Sequence, residues 1–290
     1  FYNTILNGSL NKHLTQKGCY STILGGYSSS MEIGWYSTIL GGEGHFMCLP
    51  QWSTVIGGMN HLVDQSCYST VLGGYNNCLF GGSNSVIGGC KNLISSGVQE
   101  SAILTGKNNC IYGNGVTGSG TWIGGGQKHE LCFSDGTTLL GGESNFITGS
   151  HQSLIGGGYL NIIRKTADDE GNFYENRVNT ILGGDSNVLG GQGNSILGGC
   201  ENEVISHCAS TIVGGMCNTI SSSLNFIGGG VRNSIYGGIN DCGIYVDSLG
   251  NSIGGGNNNS ISQSSYSSII GGEFNTQISS SNSAIVGGCY

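Results

Sequence analysis

The chain has 290 residues and a formal charge of −8, and only 9% of its residues are charged, where an ordinary soluble domain carries about 25%. Its nine Lys and Arg residues are scattered and form no basic stripe, and no apolar run approaches the roughly 18 residues of a membrane span, so neither nucleic-acid binding nor membrane insertion is supported. The 56 glycines lack the three-residue period and abundant proline of collagen, and the evenly spaced aliphatic residues among them exclude a disordered Gly/Ser linker.

A repeated six-residue phrase organises the chain. Residues 1–18 contain one weak copy, from Asn3 to Gly8, and are predicted to form a lead-in coil. From Cys19 onward the phrase Ser-Thr-(Ile/Val)-(Leu/Ile)-Gly-Gly returns every 16 residues, and a fixed period on this scale is typical of a repeat architecture. The first four copies end in the glycine pairs Gly25 and Gly26, Gly41 and Gly42, Gly57 and Gly58, and Gly73 and Gly74.

Later copies indicate that each coil has two halves. The pair that begins at Gly81 is followed only seven residues later by the pair that begins at Gly88. Each half-coil then contains a short apolar strand closed by a glycine corner. We therefore predict an all-β fold, a parallel β-solenoid with about 16 residues and two short strands per coil, spanning residues 1–290 as a single domain.

Asparagines mark the same corners. They stand third after a Gly-Gly or its equivalent at Asn77, Asn92, Asn109, Asn145, Asn161, Asn187, Asn194, Asn202, Asn218, Asn233, Asn259 and Asn275. Because Asn tolerates the left-handed backbone region better than most residues, the pattern predicts that these asparagines reverse the chain at structural corners. Their stacked side chains are also expected to hydrogen-bond to one another along the axis, as amide ladders do.

Two places interrupt the rhythm, and the chain stretches slightly near Gly237. Between Gly106 and Gly124 a glycine-rich corner is longer by about three residues. The larger interruption is predicted to be an inserted charged loop at residues 159–178. Candidate ligand-binding residues there are Arg164, Asp168, Asp169 and Glu170. A solvated loop is the alternative, and no catalytic residue is expected in it or elsewhere.

The twelve cysteines replace Tyr, Ser or Asn at repeat positions, mostly in coils that are not neighbours. Few pairs could therefore come within disulfide reach. We expect most of them to be free thiols that fill space, which favours assembly in a reducing compartment.

The paired aliphatic residues predict self-association. Neighbouring residues of a strand point to opposite faces, so Ile23 and Leu24, or Val55 and Ile56, do not both enter the coil interior. One member of each pair would form an exposed apolar stripe, larger than soluble monomers usually carry. We expect identical chains to bury this stripe around a common axis.

The phrase also resembles a known repeat. The stretches Asn84 to Gly88 (Asn-Ser-Val-Ile-Gly) and Asn194 to Gly198 (Asn-Ser-Ile-Leu-Gly) look like the Asn-Ser-Val-Ala-Ile-Gly repeat in the heads of trimeric autotransporter adhesins. Similar glycine-rich repeats occur in fibre proteins of phages and large viruses. The resemblance implies a left-handed, homotrimeric parallel β-roll that acts as an adhesive or spacer rod on a virion or cell surface. The chain departs from that pattern in its longer coil, doubled glycine and large residue in place of Ala.

An aromatic residue precedes Ser-Thr in four successive coils, at Tyr20, Tyr36, Trp52 and Tyr68. This spacing predicts a stacked column, which would either stabilise the ladder or bind the sugar rings of a host glycan. The threonines of the same coils, Thr22, Thr38, Thr54 and Thr70, leave ice binding as a minor alternative.

Histidines lie one coil apart at positions 45 and 61, third after Gly-Gly. They are expected to be exposed corner residues rather than metal ligands, and neither a metal nor a cofactor is expected. The sequence thus predicts a non-enzymatic structural fibre module. The competing prediction is a carbohydrate-binding or polysaccharide-degrading solenoid of the tailspike kind.

Overall fold

In the computed structural model the described residues are 2–14, 19–113, 118–165, 176–239, 245–246 and 248–289. They belong to two compact units, Phe1–Ser144 and Asn145–Tyr290. Both units consist of short strands and turns, and the described part of the chain contains no helix, least of all one that could cross a membrane. The all-β expectation is confirmed.

The first unit has two parallel sheets. The strands of the Ser-Thr-Ile-Leu phrase form what we call the front sheet, each pairing in register with the equivalent strand of the next coil. They are β1 (Thr4–Leu6), β3 (Thr22–Leu24), β5 (Thr38–Leu40), β7 (Thr54–Ile56), β9 (Thr70–Val71), β11 (Ser85–Val86), β13 (Ala102–Ile103), β15 (Trp122–Ile123) and β17 (Thr138–Leu139). The intervening strands form the back sheet: β2 (Lys12–His13), β4 (Ser30–Glu32), β6 (Phe46–Cys48), β8 (Leu62–Asp64), β10 (Cys78–Phe80), β12 (Leu93–Ile94), β14 (Cys110–Tyr112) and β16 (Glu130–Cys132).

The second unit repeats this architecture. Its front strands are β20 (Leu154–Ile155), β23 (Thr180–Ile181), β25 (Ser195–Ile196), β27 (Thr211–Ile212), β29 (Phe226–Ile227), β33 (Ser252–Ile253), β35 (Ser268–Ile269) and β37 (Ala284–Ile285). Its back strands are β18 (Phe146–Thr148), β19 (Ser150–His151), β21 (Ile162–Arg164), β22 (Asn176–Arg177), β24 (Val188–Gln192), β26 (Glu203–Cys208), β28 (Thr219–Ile220), β30 (Ser234–Tyr236), β34 (Ser260–Ser262) and β36 (Thr276–Ile278). A small antiparallel hairpin, β31 (Gly238–Ile239) and β32 (Tyr245–Val246), interrupts the parallel pattern. Each unit is thus a parallel β-solenoid with two short strands per coil, as predicted.

The interior follows from strand alternation. In one coil of the first unit, Ser37 and Ile39 from the front strand and His45 and Met47 from the back strand point inward and are fully or almost fully buried. Each half-coil therefore contributes one polar and one aliphatic side chain to the interior. Because each strand pairs only with the equivalent strands of the coils next to it, stability comes from neighbours along the axis rather than from a globular core.

The two kinds of corner differ in how much their length varies. We call the segment after each front strand the glycine corner and the segment after each back strand the variable corner. Across the glycine corner, the spacing from one inward polar residue to the next is eight residues in each coil within a unit, as from Ser37 to His45 or from Asn194 to Asn202. Across the variable corner it is seven from Asn77 to Asn84, eight in half of the coils and eighteen from Asn161 to Asn179.

The charged insertion is shorter than residues 159–178. Ile162–Arg164 and Asn176–Arg177 are strands, and both pair with β24. The insertion therefore interrupts a single strand track, and it begins after Arg164 and ends before Asn176. The slight stretching expected near Gly237 is also larger than predicted, because the coil from Asn233 to Asn259 spans 26 residues, as many as the coil from Asn161 to Asn187.

The left-handed backbone lies one residue earlier than the asparagine pattern predicts. Residues just before the inward asparagines, such as Asn76 (φ 52°) and Arg232 (φ 53°), have positive φ, whereas Asn77 and Asn233 do not. The asparagines instead point inward and are fully buried. The glycines of the predicted corners do adopt positive φ, as at Gly215, where φ is 89° and an added Cβ would lie 2.1 Å from the Gly230 carbonyl oxygen.

Candidate functional site

A ladder of buried asparagines runs along the interior of the second unit. Asn218 Nδ2 lies 3.0 Å from the carbonyl oxygens of Gly214 and Gly230 and 3.0 Å from Asn202 Oδ1. Its own Oδ1 accepts a bond from the Asn233 backbone N–H at 3.0 Å. The same pattern continues through Asn259 and Asn275, so the predicted amide ladder is confirmed.

His45 and His61 occupy ladder positions in the first unit. Both are 1% exposed, so the prediction of exposed histidines is wrong. His45 Nδ1 accepts the His61 backbone N–H at 3.3 Å, and His61 Nδ1 accepts the Asn77 N–H at 3.2 Å. Each imidazole therefore replaces an asparagine, because Nδ1 can accept the bond that Oδ1 accepts elsewhere.

The two imidazole rings stack with centroids 5.0 Å apart and planes 2° from parallel. Burial, with a smaller contribution from His45, lowers the pKa of His61 to about 4. Burial also lowers the pKa of His45, against the opposing effect of the Gly41 backbone. The site favours neutral rings, and within the described residues no group of three or more His, Cys, Asp or Glu side chains is arranged to hold a metal.

The outer surface of the front sheet carries two parallel columns. One consists of small hydroxyl residues such as Thr22, Thr38, Thr54 and Thr70, which pair in register. The other consists of the aliphatic residues one position beyond the buried ones, and most of these are exposed. Its exposed members in the first unit are Leu6, Leu24, Ile56, Leu72, Ile87, Leu104 and Leu140. We call this second column the front stripe, and the exposed apolar stripe predicted from the sequence is present.

Large side chains in the hydroxyl column are matched by glycines in the front stripe. Where the first column holds a large residue, as at Trp122, Leu154 and Phe226, the residue two positions later is glycine. At Phe226 the ring lies against Gly228, because a Cβ added there would be 3.5 Å from the ring. These coils still present one large apolar group each on the front sheet.

The front and back sheets differ in charge. None of the described front strands, nor the stripe residue that follows each, is Asp, Glu, Lys or Arg. The back strands carry Lys12, Glu32, Asp64, Glu130 and Glu203. The solvent-facing side of the front sheet therefore combines hydroxyl and apolar groups, whereas the back sheet is an ordinary charged surface.

The aromatic residues form the predicted column on a variable corner of the first unit. Ring centroids are 5.1 Å apart for Tyr20 and Tyr36, 5.5 Å for Tyr36 and Trp52, and 5.1 Å for Trp52 and Tyr68, with planes within 10° of parallel. Tyr2 stacks on Tyr20 at 5.4 Å. The flat faces of the three inner rings are therefore covered by neighbours, and a sugar would find an open face only at an end of the column.

Of the charged residues proposed for the insertion, only Arg164 lies within the described residues. Its guanidinium is 3.8 Å from Glu203 Oε1, and both side chains are largely exposed. A pair of this kind contributes about 0 to 1 kcal/mol. Asp168, Asp169 and Glu170 lie outside the described residues, so their role stays a prediction.

The eleven cysteines within the described residues are free, as expected for most of them. Burial and the neighbouring carboxylate of Asp64 raise the pKa of Cys48 to about 11. The Cys132 thiol donates a hydrogen bond to the Glu130 carboxylate at 3.2 Å. Burial and this carboxylate raise the pKa of Cys132 to about 12. Cys217 likewise donates to Glu201 at 3.3 Å. These thiols are held in the protonated form, which is a poor nucleophile.

Comparison with protein-family models gives no match, and no curated protein matches the chain.

Three features of the site were missed from the sequence. The inward serines, such as Ser53 and Ser69, form a second polar ladder in which Ser53 Oγ accepts the Ser69 N–H at 3.3 Å. The histidines belong to the asparagine ladder, and the variable corner alone absorbs changes in length. The signal for all three was the eight-residue spacing of Ser, Asn and His, which extends the asparagine pattern to other polar residue types.

Proposed function

We propose that this chain is a non-enzymatic structural module of a fibre or spike, in which three identical chains pack their front sheets around a common axis. The observation that carries the proposal is the front stripe, an uncharged row of mostly exposed aliphatic residues that recurs in most coils. Soluble monomers rarely expose contiguous apolar surface on this scale.

The repeat favours a second copy as the occupant of this surface. The stripe is a series of ridges spaced by one strand separation, about 4.8 Å. An identical chain has ridges at the same spacing, so its side chains can interdigitate over many coils, whereas a partner with another repeat would soon fall out of register. The constant length across the glycine corner supports the same proposal, since that corner borders the front stripe.

The variable corner is the natural place for contacts with other molecules. Every large change in coil length within a unit falls there, and an insertion at that corner leaves the front sheet undisturbed. We propose that corners of this kind serve attachment to a host or surface receptor, while the repeated coils act as a spacer on a virion or cell surface. The free thiols support assembly in a reducing compartment, as for a viral or phage fibre.

Introducing positive charge on the front sheet tests the self-association of the chains. In the variant Leu40→Lys/Ile56→Lys, lysine replaces two neighbouring residues of the front stripe, and burying these charges between chains would be costly. Leu62→Lys places one such charge on the outward side of the back sheet of the same unit and is the control. Sedimentation velocity should show a trimer for the wild type and for Leu62→Lys, and a single chain for the double variant.

Circular dichroism before sedimentation establishes that the three proteins are equally folded. If the double variant sediments as the wild type does, the front sheet is not the contact between chains. Activity on a host polysaccharide would instead favour the competing tailspike-like function.

A further inference from the structure

The aromatic column of the first unit ends in an uncovered ring. Tyr68 stacks on Trp52 on one side, and no other ring contact of Tyr68 exists among the described residues. It is 62% exposed, against 47 to 51% for Tyr20, Tyr36 and Trp52. The additional exposure fits one flat face left open to solvent.

The next rung of the column is missing because the corner below it is short. Each ring of the column belongs to the residue just before an inward polar residue, as Tyr68 precedes Ser69. In the next coil the equivalent residue is Ser83, which precedes Asn84 and is exposed. The variable corner here is one residue shorter than in the preceding coils. The row of bridges through Cys19, Trp35, Gln51 and Cys67 does not extend into this coil among the described residues.

The corner beyond Tyr68 has little side-chain bulk and several polar groups. Gly82 lies directly before Ser83, and an added Cβ there would lie 2.9 Å from Gln99 Cγ, so the stem of Gln99 lies against the glycine. Glu100 takes the column position one coil further on, and both Gln99 and Glu100 are exposed. The open face of Tyr68 is therefore followed by a serine in the next coil and by an amide and a carboxylate in the coil after it.

We propose that the open face of Tyr68 binds a pyranose ring of a glycan, which takes the place of the missing rung. The axial C–H face of a pyranose is apolar and stacks on an aromatic face, while its hydroxyl groups need donors and acceptors around the rim. Gln99, Glu100 and Ser83 supply these. The ring-to-ring distance of the column, 5.1 Å at Trp52 and Tyr68, is the separation that one further stacked ring requires.

The surroundings favour a neutral sugar over a phosphorylated ring. The described variable corners from residue 19 to residue 100 contain no Lys or Arg, so a phosphate group would meet no cation. Glu100 would repel it. This inference rests on the attachment role proposed above and names its ligand class, whereas the self-association of the front sheet is tested separately.

Saturation-transfer difference NMR with methyl β-D-glucopyranoside, methyl β-D-galactopyranoside and methyl N-acetyl-β-D-glucosaminide measures the binding directly. At least one of them should bind with a dissociation constant on the order of millimolar, as expected for one stacked ring. Sorbitol, which has the hydroxyl groups but no ring face, should give no signal. Tyr68→Phe keeps the ring and should change the affinity less than about threefold, whereas Tyr68→Ala should weaken it at least about tenfold.

Ser83→Tyr adds a large side chain beside the open face and should also weaken binding about tenfold, in a protein that keeps every native ring. Tyr266→Ala removes an exposed tyrosine of the second unit and should leave the affinity unchanged. The proposal is overturned if none of the three glycosides binds at about 50 mM, or if Tyr68→Ala or Ser83→Tyr binds as the wild type does. It is also overturned if Tyr68→Ala alters the sedimentation of the protein, because the occupant of the open face is then a second chain.

Discussion

Removing one amide from the asparagine ladder should cost a large part of the stability of its neighbourhood. In Asn218→Ala the carbonyls of Gly214 and Gly230 and the Oδ1 of Asn202 lose a donor, and the backbone N–H and the side-chain Nδ2 of Asn233 both lose an acceptor. Asn218 is fully buried, so water does not replace these bonds without opening the coil. Two amide hydrogens and two accepted bonds at roughly 1 kcal/mol each predict a loss of about 3 to 4 kcal/mol.

Urea unfolding at fixed protein concentration, followed by far-ultraviolet circular dichroism, measures this loss. The control is Asn257→Ala in the same unit, which removes a bond to Glu273 at 2.9 Å and one from Asn258 at 3.0 Å, both at a half-buried residue, and should cost about 1 kcal/mol. Because each coil contacts only its neighbours, the amide protons of the adjacent coils should also exchange faster with solvent. A loss in Asn218→Ala no larger than in the control would refute the ladder as a source of stability.

Three further predictions follow from the ladder, the corners and the thiols. The pKa of His61 is about 4 in the folded chain against 6.5 in the unfolded one, so the free energy of unfolding is full above pH 6.5 and falls by about 3 kcal/mol as the pH drops to 4. His61→Asn should flatten that pH dependence in urea melts taken across this range. An unchanged pH profile would contradict the burial of a neutral His61. Gly215→Ala should lower the midpoint of thermal unfolding strongly, since its Cβ would lie 2.1 Å from the Gly230 oxygen. Gly214→Ala, with open space around its Cβ, should be tolerated. Equal midpoints for the two variants would argue against the close approach of the coils. Cys48 and Cys132, whose pKa values are raised to about 11 and about 12, should react much more slowly with Ellman's reagent at pH 8 in the folded protein than in urea, as read from the labelled peptides, and rapid labelling of both in the folded protein would show that the carboxylates do not protect them.

Much of the fold could be predicted because the repeat is visible in the sequence. The spacing of Gly25, Gly41, Gly57 and Gly73 predicts the coil length, and the pairs Ile23 with Leu24 and Val55 with Ile56 predict one buried and one exposed aliphatic residue. Period and strand alternation are properties of the backbone, so they follow from residue order alone.

The corners were harder to predict because several residue types satisfy the same bond. Asn, Ser and His all accept the backbone N–H of the next coil, and only Asn was recognised in that role. The left-handed conformation lies on residues as different as Arg232, Tyr36 and Trp52, because the stacking of neighbouring coils imposes it against local preference. Local propensity therefore gave the wrong residue for the turn.

The candidate binding surfaces also include features that the sequence predicts and features that it does not. The exposed stripe and the stacked aromatic rings follow from spacing, and both were predicted. The open face of Tyr68 depends on a corner that is a single residue shorter, from Asn77 to Asn84, and on the fact that the inner rings cover one another. These are relations between coils, which the residue order of any one coil does not contain.

The molecular mass of the wild-type protein in solution, measured by multi-angle light scattering across a dilution series, tests most directly whether the front stripe is buried between copies. Packing of three front stripes predicts a mass three times that of one chain, held until the protein is very dilute. The mass of a single, folded chain at every concentration would contradict it.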